Sequence, residues 1–283
     1  MNDGIVLIKK EKGMTSRQVD NHLGHLFATK KVGHLGTLDP FAEGLLVIGI
    51  NKGTKFLTYL DDSRKKYVAT LILGKKTTTG DWEGETLLTK EIPFLNEEII
   101  QKALDSFLGE GEQIPPMFSA IKMDGVPLYK KAYQGVEIER KPRKIHIHSI
   151  HLLSYREGEI VFECEVSRGT YIRTLGEDIA QKLGTVGYLS SLNRTHLGIF
   201  DVKDAILLEE ANENSLLDPS PYLPFPSFEV SEEEDFADIM NGRMVYVGKD
   251  LGERIVMKKE GKALAIYVKV QDTLTYKPER GLF

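Results

Sequence analysis

Few residues in this chain have a context that suggests chemistry, and the foremost is an aspartate in Gly33-His34-Leu35-Gly36-Thr37-Leu38-Asp39-Pro40-Phe41-Ala42-Glu43-Gly44-Leu45-Leu46. The glycines let the backbone turn sharply and lie close against a ligand. Pro40 pushes Asp39 out of the helical region. The apolar run Leu45-Leu46-Val47-Ile48 then reads as a buried strand. A carboxylate is thus displayed on a loop fixed by proline on one side and by a strand on the other, where it can serve as nucleophile or base. Arg173 is the second candidate. It opens a helix among the apolar Tyr171, Ile172 and Leu175, so its guanidinium is partly buried and needs a carboxylate, whose pKa it would lower. Tyr67, beginning a strand beside Lys65-Lys66, is the third. Taken singly, each has an ordinary explanation: an Asp-Pro turn, a structural ion pair, a core tyrosine.

Two other features point away from chemistry. Cys164, the one cysteine, lies on the apolar face of the alternating run Ile160–Val166 and reads as a buried thiol. His146, His148 and His151 place the first two rings on one strand face. No cysteine or carboxylate is spaced to complete a tetrahedral site, so no metal is expected.

The elements that must hold these residues follow from periodicity. Ile5–Ile8 is a strand, Lys10–Gly13 a turn, and Thr15 or Ser16 caps a helix with Val19, Leu23, Leu26 and Phe27 inward. Residues 33–44 read as loop, 54–60 as a helix packing Phe56, Leu57 and Leu60, and Tyr67–Leu73 as a strand. Asn96 caps a helix with Ile99, Ile100, Ala103, Leu104, Phe107 and Leu108 on one side. Residues from about 110 to 144, with Ile114-Pro115-Pro116 and the basic Arg140–Lys144 run, read as a mobile, positively charged insertion. Two antiparallel strands (145–154, 159–167), a helix after Arg168-Gly169-Thr170, and a strand Tyr188–Arg194 complete the larger domain. Asp204 caps a short helix. The four prolines of 212–227 mark a linker or strap. Ser231 caps a further helix, and β runs at 244–247, 253–258 and 263–270 make a small module.

Composition sets the class. With 283 residues, 41% hydrophobic and 28% charged, the chain suits a large domain plus a small one. No apolar run reaches the length of a membrane span, no signal peptide opens the chain, and the cysteine count fits the cytoplasm. The net charge of −5 hides an uneven distribution. Residues 201–240 hold twelve acids against Lys203 alone, so the remainder is positive and carries repeated lysine and arginine clusters. Such a surface can track phosphates. Neither a dinucleotide-binding nor a P-loop glycine motif occurs, so nucleotide-cofactor readings lose their support.

The string from Gly33 to Leu46 resembles the signature of the TruB-type tRNA pseudouridine-55 synthases, G-H-x-G-T-L-D-P-x-A-x-G-x-L. Lys65-Lys66-Tyr67, Gln113–Lys122, Ser167–Thr174 and Tyr188-Leu189 are similar to further motifs of that family, in its order. Glu11 departs from the family's K-P-x-G turn. The resemblance implies an α+β fold of pseudouridine synthase type. Its catalytic domain, about residues 1–222, would be a large mixed or antiparallel sheet flanked by helices, with the basic insertion. The small module at 228–283 would be PUA-like, since Tyr276–Arg280 is similar to the end of such RNA-binding modules. The resemblance further implies Asp39 as the essential aspartate, Arg173 as its ion-pair partner and Tyr67 as the ring stacked on the flipped uracil. His34, Tyr171 and Leu189 would contact substrate, with Lys10 and Lys55 as further substrate-binding residues. No cofactor is required for an isomerisation. The expected partner is the tRNA T-arm, with a monomeric enzyme. Two rivals stand beside this reading: a non-catalytic RNA-binding protein, and an N-glycoside hydrolase, for which only Glu43 is near enough in sequence to offer a second carboxylate. A third keeps the chemistry on ribosomal or guide-directed RNA.

Overall fold

The computed structural model describes residues 3–119, 121–123, 125–132 and 134–283. The apolar run after Gly4 forms β1 (Gly4–Lys10). The helix α1 (Ser16–Leu26) starts at Thr15, whose hydroxyl accepts from the Gln18 N–H while Gln18 reaches back to the Thr15 N–H. Such a capping box contributes about 1 kcal/mol. Val19, Leu23 and Phe27 turn inward, whereas Leu26 stays exposed. The glycine-rich stretch is not loop throughout, as its composition suggests. Val32–Leu35 forms β2, paired antiparallel with β3 (Glu43–Ile50), which leaves only residues 36–42 irregular. β3 also pairs antiparallel with β1. It is buried along nearly its whole length, which is why its sequence is apolar without alternation.

The expected helix at 54–60 contracts to one turn, α2 (Gly53–Phe56). β4 (Arg64–Leu73) follows, then the hairpin β5 (Lys75–Thr77) and β6 (Thr86–Thr89). α3 (Glu97–Asp105) is capped by Asn96, and its Ile99 and the following Leu108 are exposed rather than inward. β7 (Gly109–Gln113) was hidden in the sequence, because its Gly-Glu-Gly-Glu-Gln run offers no apolar face. The insertion is therefore shorter than composition suggests. It spans 114–142 and holds β8 (Lys122–Met123), β9 (Val126–Pro127) and α4 (Leu128–Ala132). β10 (Arg143–Arg156) and β11 (Glu159–Ser167) form the expected hairpin, followed by α5 (Ile172–Lys182), β12 (Gly187–Leu197) and β13 (Phe200–Asp201).

These strands build one mixed sheet in the order β1-β3-β12-β4-β11-β10-β7, with β2 on β3 and β13 on β12. Helices α3 and α5 cover one face, where Ile100, Leu104, Leu175 and Ile179 meet Leu71, Ile150, Phe162 and Leu189. α1 packs on Val6, Ile8, Leu46 and Ile48. The proline-rich strap covers the β1 edge: Ile5 and Leu217 exchange both main-chain hydrogen bonds, at 2.9 and 2.8 Å. That blunts an edge otherwise open to pairing. Before the strap, Asp201 rather than Asp204 caps the short 3-10 turn Val202–Asp204, by accepting from the Lys203 N–H.

A second sheet follows, with order β14-β16-β17-β18-β15. Its elements are β14 (Ser227–Glu229), α6 (Glu233–Met240), β15 (Val245–Tyr246), β16 (Arg254–Lys259), β17 (Lys262–Lys269) and β18 (Thr275–Gly281). α6 has no side-chain cap, contrary to the expectation for Ser231. β18 escaped the pattern because it is polar and contains Pro278, which sits at a register shift where a ladder N–H is dispensable. This small module leans on α2 and the strap, where Phe56 and Leu223 meet its Val256, Ile266 and Leu282.

One junction decides where a site can form. β12 runs parallel to β3, pairing Asn193 with Glu43 and Arg194 with Gly44. Gly44 has φ +107°, and a Cβ there would collide with the Arg194 carbonyl oxygen and the Asn193 side chain. Gly44→Ala is expected to destabilise the protein by about 2–6 kcal/mol, combining strained backbone with overpacking. Equilibrium denaturation measures this.

Candidate active site

The loop 36–42 leaves β2 and returns into β3 at that junction, carrying Asp39 between them. Ser16 fixes its middle: the Leu38 N–H donates to the Ser16 hydroxyl at 2.9 Å, and that hydroxyl donates to the Leu38 carbonyl. Lys10 fixes its far side. Its buried Nζ donates to the carbonyl oxygens of Met14 (2.7 Å), Glu11 (2.9 Å) and Pro40 (3.3 Å), and burial pulls its pKa down to about 8. Lys10 therefore props the loop from behind rather than lining the open space.

Arg173 enters from the first turn of α5. Its Nε lies 2.9 Å from Asp39 Oδ2, a close charge contact in which the N–H is not aimed along the line between the atoms. Its Nη1 and Nη2 donate to the carbonyl oxygens of Thr79 and Phe118, each at 2.7 Å, and Nη1 stands 3.6 Å from Asp81 Oδ2. One guanidinium, with 4% of its side chain exposed, thus serves two carboxylates. Asp81 is a residue that sequence reasoning missed. It sits in a polar turn after β5 with nothing local to mark it, and β12 brings it in: Leu189 accepts from the Trp82 N–H and donates to the Gly80 carbonyl. Asp81 Oδ1 accepts from the Thr79 hydroxyl and the Glu83 N–H.

Asp39 is ringed by protein, yet 35% of its side chain stays open to a cleft. The cleft has two lobes of about 550 and 330 Å³ that meet at Thr37, Leu38, Asp39 and Ser119. The larger is lined by His34, Asp81, Glu83, Phe118, Tyr129 and Arg173 among others. The smaller is lined by Tyr67, Ile121, Tyr171, Ile172 and Leu192 among others. Phe118, Ser119, Ile121 and Tyr129 of the insertion form one wall. Gln113 anchors the insertion's base, accepting from the Tyr171 N–H at 2.7 Å and donating to the Tyr171 carbonyl at 3.0 Å. His34 is held between Asp20 (2.9 Å) and the Thr37 hydroxyl (3.1 Å). A groove of about 980 Å³ lies elsewhere, between the strap and β7, but its Asp62 already faces Lys65 and Arg168 and nothing there converges on one point.

The structure brings Asp39, Arg173, Tyr67, His34 and Tyr171 to one cleft. It leaves three of the sequence candidates outside the lining. Lys10 is behind the loop. Leu189 is fully buried with its side chain against Gly176 of α5, and Leu192 faces the cleft in its place. Lys55 stands at the seam with the small module, where its Nζ donates to the Phe283 carbonyl at 2.6 Å. His146 and His148 stack on one strand face, with ring centroids 4.4 Å apart. No group of residues that could hold a metal occurs among the described residues. The Cys164 thiol is buried, and burial pushes its pKa up.

The electrostatics of Asp39 differ from the expectation. Burial pushes its carboxyl above the ordinary range, the Arg173 charge pulls it back, and Asp81 pushes it up again. Desolvation outweighs the ion pair, which limits rather than reverses the rise. At the lip, burial and the same two acids push the Glu83 carboxyl up as well. The Tyr67 phenol is also raised by burial, with Arg194 pulling it down.

Comparison with known proteins places this arrangement. Residues 25–172 match the model of the TruB family pseudouridylate synthase N-terminal domain. This chain belongs to the TruB family. It is 44% identical over 219 residues to tRNA pseudouridine synthase B of Hydrogenovibrio crunogenus, covering 77% of this chain and 72% of that one. Over 292 residues it is 39% identical to the protein of the same name from Listeria innocua, covering 98% and 93%. Its fold is shared with a chain of the Cbf5-Nop10-Gar1 complex, at TM-score 0.75 and 21% identity over 99% of this chain and 85% of that one. An H/ACA RNP bound to a substrate RNA containing 2'-deoxyuridine gives 0.73 at 19% identity, covering 100% and 86%. The TruB family comprises pseudouridylate synthases, and the mixed sheet with flanking helices is the architecture that carries the cleft here.

Were Asp39 the reacting carboxylate, the rate would fall as pH drops through its raised pKa, and the acid limb of kcat/KM would lie above that of a solvated carboxylate. Removing the charge that holds the pKa down, by Arg173→Gln, is expected to move the limb up by about one to three pH units. A pH–rate profile of both proteins checks this.

Proposed function

We propose that the protein converts uridine to pseudouridine at position 55, in the T-loop of tRNA, with Asp39 as the essential carboxylate. The observation that carries this reading is the Asp39–Arg173 pair at 2.9 Å on the floor of a cleft that Tyr67 also lines. The two residues are 134 positions apart in sequence, and simple RNA binding does not call for an anionic carboxylate facing phosphates. The relatives named tRNA pseudouridine synthase B support tRNA as the substrate.

The target uridine leaves its stack and enters the cleft, with Tyr67 supplying a ring face for the uracil and His34 filling the vacated space. The N1–C1′ bond breaks, the uracil turns over, and C5 bonds to C1′. C5 gives up its proton and N1 takes one up, so the isomerisation balances without any added reactant. Asp39 acts as a nucleophile or as a base toward the sugar, and Arg173 keeps it ionised. The Tyr67 hydroxyl offers a route for the C5 proton. Segment 114–142 closes over the RNA and excludes the water that would hydrolyse the freed sugar. Tyr171 at the cleft contacts the substrate. The small C-terminal module, PUA-like in this reading, adds RNA contacts.

A glycoside hydrolase would need a second carboxylate to activate water. Asp81 is buried and already bonded to Thr79 and the Glu83 N–H, which leaves Glu83 at the lip for that role. The test is conversion of unmodified tRNA transcript, read as pseudouridine by nucleoside mass analysis. Asp39→Asn is expected to bind the RNA within about threefold of the parent and to lose at least about 10³-fold in rate. A folded Asp39→Asn protein that forms pseudouridine at the parent rate, or release of free uracil by the parent, would overturn the proposal.

A further inference from the structure

We infer that Arg194 is a positioning residue that locks the Tyr67 hydroxyl to the loop carrying Asp39; this rests on the roles proposed above for Tyr67 and Asp39. Arg194 is directly opposite Tyr67 on the β12–β4 ladder and is 0% exposed. Its Nε donates to the Leu45 carbonyl at 2.9 Å and its Nη2 to the Gly36 carbonyl at 2.8 Å. Gly36 and Leu45 bracket the Asp39 loop on either side, so one guanidinium ties both ends of that loop. Its third neighbour is the Tyr67 hydroxyl, whose pKa its charge pulls down.

Gly36 has φ +70°, and a Cβ there would sit 3.3 Å from Arg194 Nη1, so the loop comes as close as it does because this position is glycine. Among the described residues Arg194 makes no salt bridge, and its hydrogen-bond partners are all neutral oxygens. A buried charge satisfied only by neutral oxygens is expensive, and holding two carbonyls does not by itself call for one. The third partner accounts for it. Arginine has only donors, so toward Arg194 the Tyr67 oxygen can only accept. Lys65 stands on the same side, its Nζ 3.4 Å from the place of a Gly36 Cβ, close enough to Arg194 for the two charges to repel. The tyrosine ring and the carboxylate thus share one rigid support, and neither can shift without the other.

The test is a double-mutant cycle of Arg194→Lys, Tyr67→Phe and the pair, read by single-turnover pseudouridine formation and by RNA affinity. Arg194→Lys is expected to slow turnover about 10–100-fold while RNA affinity stays within about threefold, as for other residues that orient a reacting group. In the Tyr67→Phe background the same change should cost less than about threefold, because the hydroxyl it orients is gone. Costs that multiply independently would overturn the inference, leaving Arg194 as a stitch in the sheet. Tyr67→Phe at the parent rate would instead overturn the role given to Tyr67, and the inference with it. Should Arg194→Lys fail to fold, 15N-arginine-labelled protein gives a second readout. The Arg194 side-chain resonance is expected to move on Tyr67→Phe, and an unmoved resonance would overturn the inference.

Discussion

A single guanidinium shared between two carboxylates is the constraint around which the cleft is built. Arg173 is almost completely enclosed, and burying it with only one acid would still leave donors unmet. The structure supplies two main-chain carbonyls, from Thr79 and Phe118, and the second acid Asp81. That arrangement joins three segments distant in sequence: the turn after β5, the wall of the insertion, and the Asp39 loop. Each would otherwise be an independent loop with its own freedom. Fixing them to one rigid ion on the first turn of α5 is what makes the cleft a shaped site rather than a gap between loops.

The mixed sheet explains why these segments arrive together. β12 lies between β3 and β4, parallel to the first and antiparallel to the second, so it touches the strand that ends the Asp39 loop and the strand that carries Tyr67. Its other end takes the backbone of Gly80 and Trp82 and so delivers Asp81. β12 also supplies Leu192 to the cleft lining and Arg194 behind it. The strand organises the site while contributing no group proposed to react.

What the sequence revealed follows from the range of the interactions involved. Local chemistry was legible: the Thr15 cap, the β10–β11 hairpin, the Asp39 turn and the apolar setting of Arg173 each declare themselves within a few residues. Residues placed by long-range pairing were not. Asp81 looks like any acid in a polar turn, and Arg194 reaches Leu45 across 149 positions. Leu189 reads as a substrate contact through its place beside Tyr188 in the family motif, and Leu192, which lines the cleft, carries no such mark. A register shift between Leu189 and Ser191 re-aims the strand there, and no single-sequence pattern reports a bulge. β7 and β18 were lost for another reason, since strands made largely of glycine, glutamate, lysine and proline lack the alternation that marks a half-buried strand.

The sign of the Asp39 shift carries the last step. Sequence reasoning set one cation against one acid and so expected a lowered pKa. In the folded protein burial acts first, and a second acid shares the cation. Any RNA that fills the cleft removes the water still reaching Asp39, which strengthens the penalty on its charge and the attraction of Arg173 together. Only the attraction has a fixed partner, since Arg173 is tethered at both Nη atoms before anything binds. A mobile lysine would have to be drawn in from solvent at the moment of closure, with its own desolvation and ordering to overcome. A pre-placed arginine has met those costs in folding, so closure of the cleft can tighten the ion pair instead of neutralising the acid.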